Sequence, residues 1–88
     1  MISKIQLEEI VGIIKSLGVS DETVLVLRRQ FAPIHFSYCM DDDLPNNKPV
    51  LEYDNFNVYL IDGREHCLCL TLDYEIATGI VVAEVYPD

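Results

Sequence analysis

The sequence predicts an α+β domain in which an N-terminal helical hairpin packs on one face of a four-stranded antiparallel sheet arranged as a meander. Three observations carry this. Residues 1–32 hold two capped stretches with apolar residues at helical spacing. Residues 33–88 hold runs rich in β-branched and aromatic residues, bounded by turn formers. Asp62-Gly63 lies between two of those runs, where the strongest short hairpin signal belongs. Helices followed by strands, without alternation, is the α+β pattern, and consecutive strands usually lie side by side, which gives the meander. With 88 residues, half of them apolar, the chain makes one domain.

The first helix starts at Ser3, which has capping-box spacing to Gln6, with Ile2 and Leu7 spaced as a hydrophobic staple. Leu7, Ile10, Val11, Ile14 and Leu17 then recur on one stripe, and Gly18 stands where a C-cap glycine belongs. The second helix is capped by Ser20, carries Asp21 and Glu22 at its positive end, and stops before Pro33. The first strand runs from Ile34 to Met40, with Ile34, Phe36, Tyr38 and Met40 on one side and His35, Ser37 and Cys39 on the other. Residues 41–49 have two prolines and no periodicity, which reads as an exposed loop. Strands follow at about 57–61, at 66–72 and at 80–86, the last two separated by a turn over 73–79.

In the third strand Leu68, Leu70 and Leu72 are expected to face the helices, and Cys67, Cys69 and Thr71 to face away. The expected core is Ile10, Ile14, Leu17, Leu25, Leu27, Phe36, Tyr38, Val58, Leu60, Leu68, Leu70, Val81 and Val85. The opposite face then shows His35, Ser37, Cys39, Cys67, Cys69 and Thr71, neither charged like a solvent face nor fully apolar. Such a face is expected to meet a protein partner or a second copy of the chain in a homodimer.

The net charge of −9 is unevenly placed. Residues 1–37 hold four acids and four bases, whereas residues 38–88 hold 11 acids against Lys48 and Arg64 alone. Such a field repels phosphate backbones and anionic lipid and attracts a basic protein surface or a cation. Nucleic acid and membrane are therefore not expected partners. No apolar run approaches the roughly 20 residues that span a bilayer, and no secretory leader is legible at the N-terminus, so a cytoplasmic location is expected.

Three cysteines are an odd count, and Cys67 and Cys69, about 6.6 Å apart on one strand with parallel side chains, are badly placed for a disulfide. Reduced thiols fit better. Two groups of soft ligands suit zinc or iron: His35 with Cys39, and His66, Cys67 and Cys69 at the hairpin. In a meander the first and third strands lie about 9.5 Å apart, too far for Cys39 to share an ion with Cys67 or Cys69, whereas direct pairing of those strands would remove the objection. A nucleophilic Cys–His pair needs a lowered thiol pKa, and the acidic surroundings oppose that. No phosphate cradle, calcium loop or carboxylate pair is present, so the chain does not read as an enzyme.

The runs His35–Asp43, Phe56–Thr71 and Ala77–Val85, which include HFSYCMDDD and DGREHCLCLT, resemble a family of small acidic bacterial proteins of unknown function encoded beside nitrogen-fixation genes. The resemblance covers the chain from Phe31 onward and is weakest in the helices. It implies a cytoplasmic accessory role in nitrogen fixation and supplies no catalytic residue. Together with the charge pattern, it suggests a non-catalytic accessory protein that docks on nitrogenase or its assembly machinery. Asp41, Asp42, Asp43, His35 and Cys39 would make the contact. The alternative is a metal- or redox-handling protein that uses His35, Cys39, Cys67 and Cys69.

Overall fold

The computed structural model describes residues 2–63 and 69–86. Two helices, α1 (Lys4–Leu17) and α2 (Asp21–Gln30), precede five strands: β1 (His35–Met40), β2 (Leu51–Glu52), β3 (Phe56–Asp62), β4 (Cys69–Thr71) and β5 (Gly79–Glu84). Both helices begin where the capping residues require. Ser3 Oγ accepts from the Gln6 N–H at 3.0 Å and Ser20 Oγ from the Thr23 N–H at 3.2 Å, each satisfying a donor that the helix itself leaves without a partner. Gly18 ends α1 with φ +94°, which glycine adopts without a Cβ penalty.

The class is α+β, but the sheet is a five-stranded mixed one rather than a four-stranded antiparallel meander. Its order is β1-β5-β3-β2, with β4 also pairing β3. β1 runs parallel to β5, His35 opposite Gly79 and Met40 opposite Glu84. β5 runs antiparallel to β3 along six residue pairs, Phe56–Glu84 to Ile61–Gly79. β2 and β4 share the other edge of β3, pairing with its first and second halves respectively. β5 is thus inserted beside β1, where the meander would have put the second strand. Its sequence, Gly79-Ile80-Val81-Val82-Ala83, is buried on both sides, as a central strand demands. The β1–β5 approach also requires Gly79, because a Cβ there would stand 2.9 Å from the His35 carbonyl oxygen.

The two faces of the sheet close differently. On one, Phe36, Phe56, Val58, Leu60, Ile80 and Val82 pack with Leu7, Ile10, Ile14, Val24 and Leu27 of the helices. On the other, Tyr59, Ile61, Val81 and Ala83 form a smaller cluster, bordered by Cys39, Leu44 and Leu70. Alternation therefore holds along β4, but with the opposite phase from that expected. Leu70 pairs with Ile61 on the face away from the helices, while Cys69 and Thr71 share a side with Asp62 and Leu60. β5 is likewise reversed, since Ile80 and Val82 face the helices and Val81 faces away.

Leu17 and Leu25, expected in the core, are 56% and 49% exposed, because α1 and α2 turn those positions to the outside. Val85 lies just beyond the end of β5 and is only half-buried. Leu68, with His66 and Cys67, lies outside the described residues. β3 and β4 pair antiparallel, with Asp62 opposite Cys69, so Asp62 belongs to β3 rather than to a two-residue turn at Asp62-Gly63, and residues 64–68 lie outside the described residues. Among the described residues no helix is long and apolar enough to cross a membrane.

Candidate functional site: the β1 strand and its acidic corner

β1 alternates as its sequence requires. Phe36 is buried beneath the helices, while His35 and Ser37 stand exposed on the opposite face and Cys39 is half-buried there. A single 3-10 turn, Asp41–Asp43, follows at once and bends the chain over that same face. Asp41 is drawn down onto the sheet, where one carboxylate oxygen accepts from Asn57 Nδ2 at 2.9 Å and from the Tyr59 hydroxyl at 2.8 Å. Bonds to an ionised acceptor are the stronger kind, so this pair fixes the turn to β3. Asp42 and Asp43 stay exposed. The three aspartates expected to form one solvated acidic loop therefore divide into one structural residue and two presented outward.

Burial and nearby carboxylates together set the local titration. Burial first, and then the bond to Asp41 and that residue's charge, push the Tyr59 phenol up to about 12. On the helix-facing side Tyr38 donates its hydroxyl to Glu84 Oε1, and this bond, more than burial, pushes its phenol up to about 12 as well. Burial raises the Cys39 thiol above its ordinary value, and the nearby charges of Asp43 and Asp41 raise it further. Cys39 is a free thiol, held protonated at neutral pH. His35 stands four residues away along the same strand, about 13 Å, out of reach for a Cys–His pair.

The soft ligands do not converge among the described residues. Cys39 and Cys69 lie on opposite faces with β5 and β3 between their strands, more than about 14 Å apart across the sheet. The direct pairing of first and third predicted strands that would join them is not the order adopted. Among the described residues, no group of three or more His, Cys, Asp or Glu side chains is placed to hold a metal ion.

At the N-terminal end of β1, Arg28 reaches from α2 and donates Nε and Nη2 to the Phe36 carbonyl at 3.1 and 3.0 Å. An open cleft of about 660 Å³ lies beside it, bordered by Arg28, Pro33, His35, Ser37, Gly63 and Thr78. β1 therefore has the Arg28 guanidinium of α2 beside one end and Asp42 and Asp43 beyond the other. Arg28, Asn57, Tyr59 and Glu84 were not legible as site residues from the sequence. A polar-tipped Asn57 and Tyr59 two residues apart, hence on one strand face, were the available signal for the Asp41 clasp.

Comparison with known proteins is informative at the level of family alone. No curated protein and no solved structure matches the chain. Residues 11–85, which carry all of β1, the acidic corner and the sheet, match the family model DUF6129, and the chain belongs to that family of unknown function.

Proposed function

We propose that this protein is a non-catalytic accessory module that docks on a basic surface of a protein partner through Asp42, Asp43 and the adjoining face of β1 with His35 and Cys39. The observation that carries the reading is the division of the acidic turn: Asn57 and Tyr59 hold Asp41, so Asp42 and Asp43 are presented from a fixed frame. Pre-organised charge loses little entropy on binding and gives specificity and fast association. The quiet chemistry of the corner agrees with docking, since the thiol beside it is held protonated. The resemblance to proteins encoded beside nitrogen-fixation genes points to nitrogenase or its cluster-assembly machinery as the partner, in a cytoplasmic setting.

The test is an affinity capture from nitrogen-fixing cells at low and high salt, with the wild-type chain and an Asp42→Asn/Asp43→Asn variant side by side. Docking is supported by one protein that is retained at low salt, released by screening, and absent with the variant. Equal recovery by both chains removes the proposal.

A further inference from the structure

Among the described residues β1 pairs with β5 alone and ends the sheet. The His35 N–H donates to the Thr78 carbonyl at 3.2 Å, so His35, Ser37 and Cys39 turn their backbone groups toward β5. In a β-ladder the alternate residues Phe36, Tyr38 and Met40 then turn theirs outward. Arg28 agrees with this, because it reaches the Phe36 carbonyl from outside the sheet. That clamp occupies the Phe36 carbonyl and leaves the backbone of Tyr38 and Met40 as the open stretch. From Phe36 to Met40 there is no proline, lysine or other charge, the features that ordinarily blunt an edge against strand addition.

We propose that a second copy of the chain occupies this edge, with β1 pairing antiparallel to the partner's β1 about a two-fold axis at Cys39. The register follows from Arg28. With Phe36 engaged, the two-fold arrangement that uses both open residues sets Tyr38 opposite the partner's Met40 and Met40 opposite the partner's Tyr38. Cys39 then faces the partner's Cys39 in the close, non-hydrogen-bonded position. Charge selects the direction. Antiparallel pairing brings Arg28 and His35 of each copy toward the exposed Asp42 and Asp43 of the other, whereas parallel pairing would set acid against acid. The inference rests on reading β1 and its corner as a docking surface, and it names the occupant of that surface when no other partner is present.

Sedimentation velocity on a dilution series of the full chain tests it, together with two kinds of variant. Met40→Pro removes an outward N–H at a φ of −84°, which the proline ring accommodates, and breaks no bond to β5. The wild type is expected to show a concentration-dependent dimer, and Met40→Pro to raise its dissociation constant by about tenfold or more. Asp43→Lys alone weakens the dimer, and adding His35→Glu restores it, a readout that survives if Met40→Pro does not fold.

In a Cys67→Ala/Cys69→Ala background, diamide oxidation is expected to cross-link the dimer through Cys39, because close antiparallel pairs hold Cα atoms about 4.5 Å apart, within disulfide range. A chain that stays monomeric at every concentration overturns the proposal, as does a dimer indifferent to these changes or one that fails to cross-link at Cys39. A monomer that still captures a basic partner through Asp42 and Asp43 overturns the dimer and leaves the docking reading standing. A dimer with no such partner does the reverse.

Discussion

The two faces of the sheet are built from strands of one composition and closed by different means. On the helix side Leu60 and Ile80 are fully buried against α1 and α2 in an apolar core, with the Tyr38–Glu84 bond at its border. On the other side Tyr59, Ile61, Val81 and Ala83 are covered by Leu44, Leu70 and Cys39 at the margins and by the Asp41 carboxylate bonded to Asn57 and Tyr59. The helix face draws its stability mainly from packing. The opposite face depends in part on polar bonds, and the same turn that completes it delivers Asp42 and Asp43 to the surface. Apolar packing and presented charge thus fall on opposite sides of the same strands.

The largest expected effect breaks the first face. Leu60→Ala should cost about 2–5 kcal/mol, since a cavity there lies under both helices, and Ile61→Ala, at the shallower cluster, should fall at the low end of that range. Urea denaturation of both variants checks the difference, and equal losses would mean that the two faces are sealed alike. Next comes the clasp. Asp41→Ala leaves the Tyr59 hydroxyl and Asn57 amide without their acceptor and should cost about 1–3 kcal/mol. It should also return the Tyr59 phenol toward the ordinary tyrosine range, read from phenolate absorbance in an alkaline titration.

The pH dependence sharpens the same contrast. Tyr59 and Tyr38 are raised from 10.0 to about 12 by their surroundings, so the folded state holds these protons more tightly than the unfolded one. Their contribution is fully present below pH 10 and is lost as pH climbs toward about 12. Stability measured across that alkaline window should fall in the wild type, and it should fall less steeply in Tyr59→Phe, which keeps only the Tyr38 phenol of the two.

Much of this arrangement was legible and part of it was not, for physical reasons that differ by element. Ser3 and Ser20 located both helices because capping is a local requirement, met within three residues. Alternation gave the face of Phe36, Cys39 and His35 correctly, because side-chain period within a strand is also local. Strand order is not local. Nothing near Ile34 to Met40 states that residues 79–84 will lie beside it, and only the unbroken apolar run Ile80 to Ala83 hinted at a central strand buried on both sides. Once β5 took that place, the phases of β4 and β5 relative to the helices were reversed from the meander. β2 went unseen because two residues carry no period. The acidic turn was recognised by composition, but composition does not distinguish Asp41, bonded to Tyr59, from its exposed neighbours.

A smaller effect concerns reactivity. Cys39 should alkylate slowly at neutral pH in a Cys67→Ala/Cys69→Ala background, because burial and the adjacent carboxylates hold it protonated. Asp43→Asn should speed the reaction by a few-fold, about what removing one screened charge allows. An unchanged rate would place Asp43 away from the thiol.

The measurement that bears most directly on β1 as an open edge ending in a fixed acidic corner is residue-resolved amide hydrogen exchange at low and high protein concentration. In dilute solution the Ser37 and Cys39 amides, turned toward β5, should exchange slowly, and those of Tyr38 and Met40, turned outward, should exchange fast and gain protection as the protein is concentrated. Uniform slow exchange along residues 36–40 in dilute solution would contradict the account, because it would show the edge already covered within one chain.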